Sequence, residues 1–231
     1  MASAPDAASL RGCFVTGSDT GVGKTVLTAA IVASLRERGE AVCVRKPILT
    51  GLDDPDPGSF SDDELLALAS GERAEAIAPL RYGPPVSPHL AAELAGEEID
   101  VDALLEELRA APRPLIVEGI GGLLVPIAPG WDVRRLALEL GLGVVVAARA
   151  ALGTINHTLL TIEAARAGGL DLRAVVLTPW PAQPGTLERS NLETIERLGR
   201  VPVATLEELP ELSAAALAAA GSRLPYESWL T

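Results

Sequence analysis

Apolar residues fall along this chain in two rhythms. One is short and unbroken, rich in Val, Ile and Leu: GCFVT (12–16), AVCVRK (41–46), PLIVE (114–118), LGVVVAA (142–148), LRAVVLT (172–178) and RVPVA (200–204). The other is longer and spaced for a helix, over 24–38, 62–70, 100–110, 133–140, 156–167 and 185–198. Continuous apolar runs suit parallel strands buried on both faces, where alternating runs suit strands with one wet face. Strand–helix alternation requires crossovers, so the pattern predicts an α/β fold with a mainly parallel sheet flanked by helices on both faces. No internal repeat interrupts it. DDPDPGSF, RYGPPVSPH and TPWPAQPG read as loops. In such a sheet, ligands gather beyond the carboxyl ends of the strands.

Composition narrows the function. With 231 residues, 48% of them apolar, the chain can bury a sizeable core. One large domain is expected over residues 11–231, after a loose, Ala/Ser-rich segment at 1–10. A net charge of −12 excludes free nucleic acid and anionic membrane surfaces as bulk partners. The longest apolar stretch, LGVVVAARAALG, is interrupted by Arg149 and too short to span a bilayer. MASAPDAASLRG lacks the basic-then-apolar order of a signal peptide. Cys13 and Cys43 lie in predicted strands and read as reduced core residues, which makes the cytoplasm the expected compartment.

The chemistry begins at FVTGSDTGVGKT, Phe14 to Thr25. A buried strand ends at a glycine, small residues follow, and Gly-Lys-Thr opens a Leu/Ala-rich helix. This order brings backbone N–H groups to face one anion, typically a nucleotide phosphate. Gly17 to Thr25 has five residues between its first glycine and the GK pair, one more than the standard phosphate loop. The context of strand, loop and helix supports the assignment. Gly21 and Gly23 suit the turn, Lys24 would reach the outer phosphates, and the Thr25 hydroxyl would ligate a magnesium ion.

Further words follow in order: KPILTG (46–51), SDDELLALASG (61–71), VSPHLAAELAG (86–96), VEGIGGLLVP (117–126) and GTINHTLLT (153–161). Together with TGSDTGVGKT, across nearly the whole chain, they resemble the dethiobiotin synthetase family, which itself uses the longer loop spacing. The resemblance implies a P-loop NTPase-like enzyme of biotin biosynthesis. It implies carboxylation of 7,8-diaminopelargonate with CO2, phosphorylation of the carbamate by a nucleoside triphosphate, and closure of a cyclic urea. It also implies a homodimer with active sites near the interface.

The resemblance assigns roles to residues. Thr20, Gly21, Val22, Gly23, Lys24 and Thr25 bind nucleotide, together with Glu118, Thr178 and Pro179. Thr25, Asp62 and Glu118 hold Mg2+. Thr20, Lys46, Thr50, Ser87, Pro88, Gly153, Thr154 and Asn156 contact the substrate, the last three at its acid end. Lys24 and Lys46 are catalytic, and Lys46 serves the carbamate and the transferring phosphoryl group. Asp62 adjoins Asp63 and Glu64, and the word fits a helix cap as well as a metal ligand. His89 and His157 read as structural. Thr178 stands near the place where adenine-reading members often carry asparagine. A threonine cannot make the paired hydrogen bonds of asparagine, so weak reading of the base, or reading by backbone groups, is expected.

Two other readings use the same loop. A partner-binding ATPase switch of the partitioning kind carries an early loop lysine, where this chain has Asp19. A cobyrinate-type amidoligase brings a glutamine-hydrolysing domain with a nucleophilic cysteine, for which neither Cys13 nor Cys43 has the context.

Overall fold

The computed structural model describes residues 11–54, 58 and 60–231. The segment 1–10, expected to be loose, lies outside the described residues. The main sheet holds six strands, all parallel: β1 (Gly12–Gly17), β2 (Cys43–Arg45), β5 (Leu115–Gly122), β8 (Gly143–Ala148), β9 (Leu172–Trp180) and β10 (Val203–Glu207). Their order is β10-β9-β8-β1-β5-β2. Two short pairs lie apart, parallel β3 (Ile48–Leu49) with β4 (Leu80–Arg81), and antiparallel β6 (Pro126–Ala128) with β7 (Trp131–Asp132).

Both faces of the sheet are covered, which is why the strands read as unbroken apolar runs. Successive residues of β1 feed opposite cores. Cys13 and Val15 pack on one side with α1 (Lys24–Glu37), α2 (Asp62–Ser70) and α9 (Ala214–Gly221). Phe14 packs on the other with α4 (Pro88–Ala95), α5 (Val101–Ala110) and α6 (Val133–Leu140). A third cluster joins β8 and β9 to α7 (Thr154–Ala167) and α8 (Thr186–Gly199). The short α3 (Ala74–Ile77) completes the helices. Among the described residues, no helix is long and apolar enough to cross a membrane.

Three differences from the sequence pattern have physical causes. α7 starts at Thr154, two residues earlier than its apolar spacing implies, because Gly153 at φ 92 turns the chain directly into the helix. β10 starts at Val203, after Pro202, which has no N–H to donate to a ladder but whose carbonyl accepts from Val175 N–H at 3.0 Å. α9 was not predicted. Its sequence AAALAAAG carries no polar face to mark a stripe, and its small residues serve close packing on α1. A Cβ placed on Gly221 would stand 2.0 Å from the Ala30 carbonyl oxygen.

Candidate active site

The phosphate-type loop leaves β1 at Gly17 and re-enters regular structure at Lys24. Ser18 N–H donates to Ala147 O at 2.9 Å, which ties the loop to β8. Gly21 and Gly23 have φ values of 66 and 89, in the left-handed region that a side chain disfavours. Gly23 has a second constraint, because a Cβ there would lie 2.8 Å from the Thr178 methyl group. Lys24 is buried, and its Nζ donates across the loop to Asp19 O at 3.0 Å. Burial pulls its pKa below the ordinary lysine value.

Four side chains, from α1, α2, β5 and the connection after β2, meet at the start of α1. Thr25 Oγ1 lies 2.8 Å from Asp62 Oδ1 and 2.9 Å from Glu118 Oε1. Lys46 Nζ lies 2.7 Å from Asp62 Oδ2 and 2.7 Å from Glu118 Oε1. The fold makes the meeting possible. Glu118 sits on β5 opposite Val15 of β1. Lys46 follows β2 directly, its N–H held by Ile77 O at 2.9 Å. Asp62 is the first residue of α2, where the helix dipole favours a carboxylate. Ser61 N–H donates to Glu64 Oε2 at 2.9 Å and fixes the start of that helix.

The electrostatics follow from burial. Burial would discharge Lys46, but Glu118 and Asp62 outweigh it and hold its pKa above the ordinary lysine value. Burial likewise opposes the charge on Asp62, and Lys46, with help from the Thr25 hydroxyl, brings that pKa below the ordinary value. Glu118 is fully buried. Burial pushes its carboxyl up, and Lys46 opposes the rise. Its second oxygen, Oε2, has no hydrogen-bond partner among the described residues. Asp63 faces elsewhere. It is wholly buried, accepts from Ser61 Oγ at 2.7 Å and is paired with Arg81.

A cleft of about 900 Å³ opens over this cluster. Of the residues singled out in the sequence, Thr20, Gly21, Gly23, Lys24, Thr25, Lys46, Thr50, Asp62 and Ser87 line it. Val22 is buried beneath the loop, and Glu118 stands behind the lining. Thr178 is buried against Gly23, with Pro179 exposed beside it, and neither lines the cleft. Pro88 is buried at the start of α4. Gly153, Thr154 and Asn156 stand at the start of α7, away from the cleft wall. Gly153 and Asn156 are exposed there, and Thr154 Oγ1 is turned to Thr158 Oγ1 at 3.3 Å. His89 Nδ1 meets Ser87 Oγ at 3.0 Å, a local contact, and His157 is exposed on α7.

The cleft also has a wall that the sequence reading did not contain. Leu209, Pro210, Glu211 and Leu212, between β10 and α9, line it together with Thr25 and Val26, and Leu209, Leu212 and Val26 pack against the same apolar cluster. No motif marks that loop, because its residue types are those of any connection. Ile120 and Val125, which flank the glycine turn after Glu118, supply an apolar side.

A family model described as an AAA domain matches residues 11–216. An ATP-dependent dethiobiotin synthetase of Anaeromyxobacter sp. (strain Fw109-5) is 40% identical over 210 residues, covering 88% of this chain and 93% of the relative. The corresponding protein of Mycobacterium avium (strain 104) is 40% identical over 223 residues, covering 94% and 96%. That of Haloferax mediterranei is 39% identical over 224 residues, covering 94% and 93%. Among solved structures, a ParA family ATPase from Chlorobium tepidum TLS aligns with a TM-score of 0.56 at 9% identity, over 93% of this chain and 100% of that chain. The MinC:MinD cell division protein complex of Aquifex aeolicus aligns at 0.55 and 15% identity, over 92% and 95%. At those identities the structural likeness carries the fold alone, whereas the sequence likeness stands at 39–40% identity and extends over 88–94% of this chain. The chain belongs to the ATP-dependent dethiobiotin synthetase family.

Proposed function

We propose that this protein forms dethiobiotin from 7,8-diaminopelargonate, CO2 and a nucleoside triphosphate. The observation that carries the reading is the meeting of Thr25, Lys46, Asp62 and Glu118 at the mouth of the phosphate-type loop. Residues 11–231 act together as one domain in this reading, in the cytoplasm.

The chemistry brings two anions together. An amine of the substrate adds to CO2 and loses a proton to give a carbamate. A carbamate oxygen attacks the γ-phosphorus, and the nucleoside diphosphate leaves. The second amine then attacks the carbonyl carbon, and inorganic phosphate leaves as the ring closes. Approach of carbamate to triphosphate is repulsive, the more so in a cleft that excludes water. This chain answers with its only two lysines. Lys24 spans the loop toward the outer phosphates, and Lys46 stands at the junction of nucleotide and carbamate. Its charge is needed most as the phosphoryl group transfers, so it lowers the barrier more than it tightens binding.

Mg2+ fits the donor set. Thr25, Asp62 and Glu118 present only oxygens, and the bare Glu118 Oε2 is an acceptor still to be satisfied. Two carboxylates and a hydroxyl are what a magnesium ion shared with phosphates needs from a protein. When bound, that ion offsets the charge on the β- and γ-phosphates.

The start of α7 would take the acid end of the substrate, with Gly153, Thr154 and Asn156 presented at a homodimer interface. Leu152, 89% exposed, and Leu160, 57% exposed, give that face apolar area to bury. The switch-ATPase reading shares the fold, but Asp19 occupies the early-lysine position of such loops.

Turnover decides among the readings. Release of inorganic phosphate is measured with ATP and magnesium, with diaminopelargonate and bicarbonate each present or omitted. Strict dependence on both, with dethiobiotin as product, is the expected result. Turnover indifferent to the diamine would overturn the reading.

A further inference from the structure

Arg149, on the connection from β8 to α7, reaches back over the phosphate-type loop. Its Nη2 lies 3.4 Å from the Thr20 carbonyl oxygen, and a Cβ built on Gly21 would be only 3.0 Å from the same nitrogen. The guanidinium therefore rests on the open limb of the loop, Asp19 to Gly21. That limb can be placed relative to the phosphates. Lys24, which serves the outer phosphates in loops of this kind, bonds Asp19 O on it. Thr20 and Gly21 line the cleft beside Lys24 and Thr25. A cation over Thr20 and Gly21 thus flanks the outer end of a bound triphosphate, not its inner end.

The charges in the cleft sharpen the point. Lys46 is engaged by two carboxylates. Lys24 is buried, and its Nζ is engaged by Asp19 O at 3.0 Å. Arg149 makes no ion pair with a carboxylate among the described residues, and its one hydrogen bond there is the long contact to Thr20 O. An arginine keeps its charge at any working pH and presents a planar fork of donors suited to phosphate oxygens. It is exposed, so it can shift by the small distance that a ligand asks of it. Gly21 leaves it room, having no side chain to stand between the guanidinium and the cleft.

We propose that Arg149 binds the terminal phosphate of the nucleoside triphosphate and distinguishes triphosphate from diphosphate, a cation supplied in cis from the β8–α7 connection. The proposal rests on the reading of the cleft as a triphosphate site. It also links the two halves of the reaction. The same short connection carries Arg149 at its start and leads into Gly153, so occupancy at the start of α7 and the grip on the terminal phosphate share one segment of backbone.

The test is calorimetric titration of the whole protein with the β,γ-imido analogue of ATP and, separately, with ADP, both in magnesium. Arg149→Ala should weaken the triphosphate analogue by about tenfold, the lower end for a charge-assisted contact, and change ADP by less than about twofold. Arg149→Lys, which keeps the charge and loses the fork, should recover part of the difference. A thermal melt checks that each variant is folded. Equal weakening of both nucleotides would mean that Arg149 only props the loop, and unchanged affinity for both would mean that it touches neither. Either result overturns the proposal while leaving the cleft a nucleotide site. If the unaltered protein bound neither nucleotide, the reading of the cleft and this proposal would fall together.

Discussion

Lys46 Nζ and Glu118 Oε1 are 2.7 Å apart, with side chains 4% and 0% exposed, so the pair lies at the floor of the cleft with little contact with solvent. The same glutamate oxygen is 2.9 Å from the Thr25 hydroxyl. One carboxylate therefore joins the lysine assigned to the carbamate with the threonine assigned to the metal. The lysine also has a structural duty, since a buried carboxylate beside it depends on its charge.

Lys46→Gln should consequently do two things. Turnover should fall by on the order of 10²–10³, the scale for removing one electrostatic stabiliser from a closed site. Stability should also fall, by about 3–5 kcal/mol, because Glu118 loses a buried partner. Lys46→Gln combined with Glu118→Gln should regain most of the stability and none of the turnover. Urea denaturation and steady-state kinetics at saturating bicarbonate separate the effects. Near-normal turnover in the single variant would remove Lys46 from the chemistry.

Asp62 and Asp63 are neighbours with opposite surroundings. Asp62 meets Thr25 and Lys46, whereas Asp63 is buried against Arg81. Asp62→Asn should raise the magnesium concentration for half-maximal activity by roughly tenfold, because it removes charge from a hard oxygen site. Asp63→Asn should leave that concentration alone and cost about 1–3 kcal/mol of stability. Magnesium titrations ranking Asp63 above Asp62 would reverse the assignment.

Base selectivity should be loose. The Thr178 side chain packs on Gly23 and does not line the cleft, so it offers no paired hydrogen bonds to an adenine edge. ATP, CTP and GTP should support turnover within roughly 100-fold of one another, about 2.7 kcal/mol. Competition kinetics with a wider preference for ATP would show that another group reads the base.

Gly221→Ala should loosen α9 from α1. The added methyl would stand 2.0 Å from the Ala30 carbonyl oxygen, so the helices must separate. Overpacking of this kind costs about 1–3 kcal/mol. Chemical denaturation would detect it.

Cys13 supplies a pH dependence. Burial pushes its thiol from 9.0 up to about 12. A thiol whose pKa is raised by folding releases its proton first in the unfolded chain, so alkali favours unfolding. Stability should be unaffected by this group below pH 9 and should decline as the pH rises from 9 toward 12, by about 1.4 kcal/mol per pH unit. Cys13→Ala should flatten that part of the profile. In the native protein at pH 8.5, a thiol reagent should reach Cys13 only as fast as the protein opens. Rapid labelling there would contradict its burial.

Much of this molecule could be read along the line of the chain. The unbroken apolar runs gave six parallel strands, because a strand wetted on neither face has no reason to alternate. The helices over 62–70 and 133–140 fell where their spacing put them, and the glycines before Lys24 marked the loop because a left-handed turn tolerates little else. Such signals are local: a periodicity or a dihedral constraint is written in neighbouring residues. What stayed hidden depends on distance in space. Nothing in SDDE separates Asp62 from Asp63 by itself; helix α2 turns one toward Lys46 and the other toward Arg81. The Ala-rich run of α9 has helical propensity but no polar face to say which side packs; the close fit of Gly221 on Ala30 appears only in the packed pair of helices. The wall at Leu209–Leu212 and the reach of Arg149 to Thr20 join residues far apart in sequence, and they come together because each segment follows the carboxyl end of a strand, β10, β8 or β1, in one parallel sheet. Burial then sets the charges, since the hold of Lys46 on its proton is a property of the two carboxylates around it and not of the lysine alone.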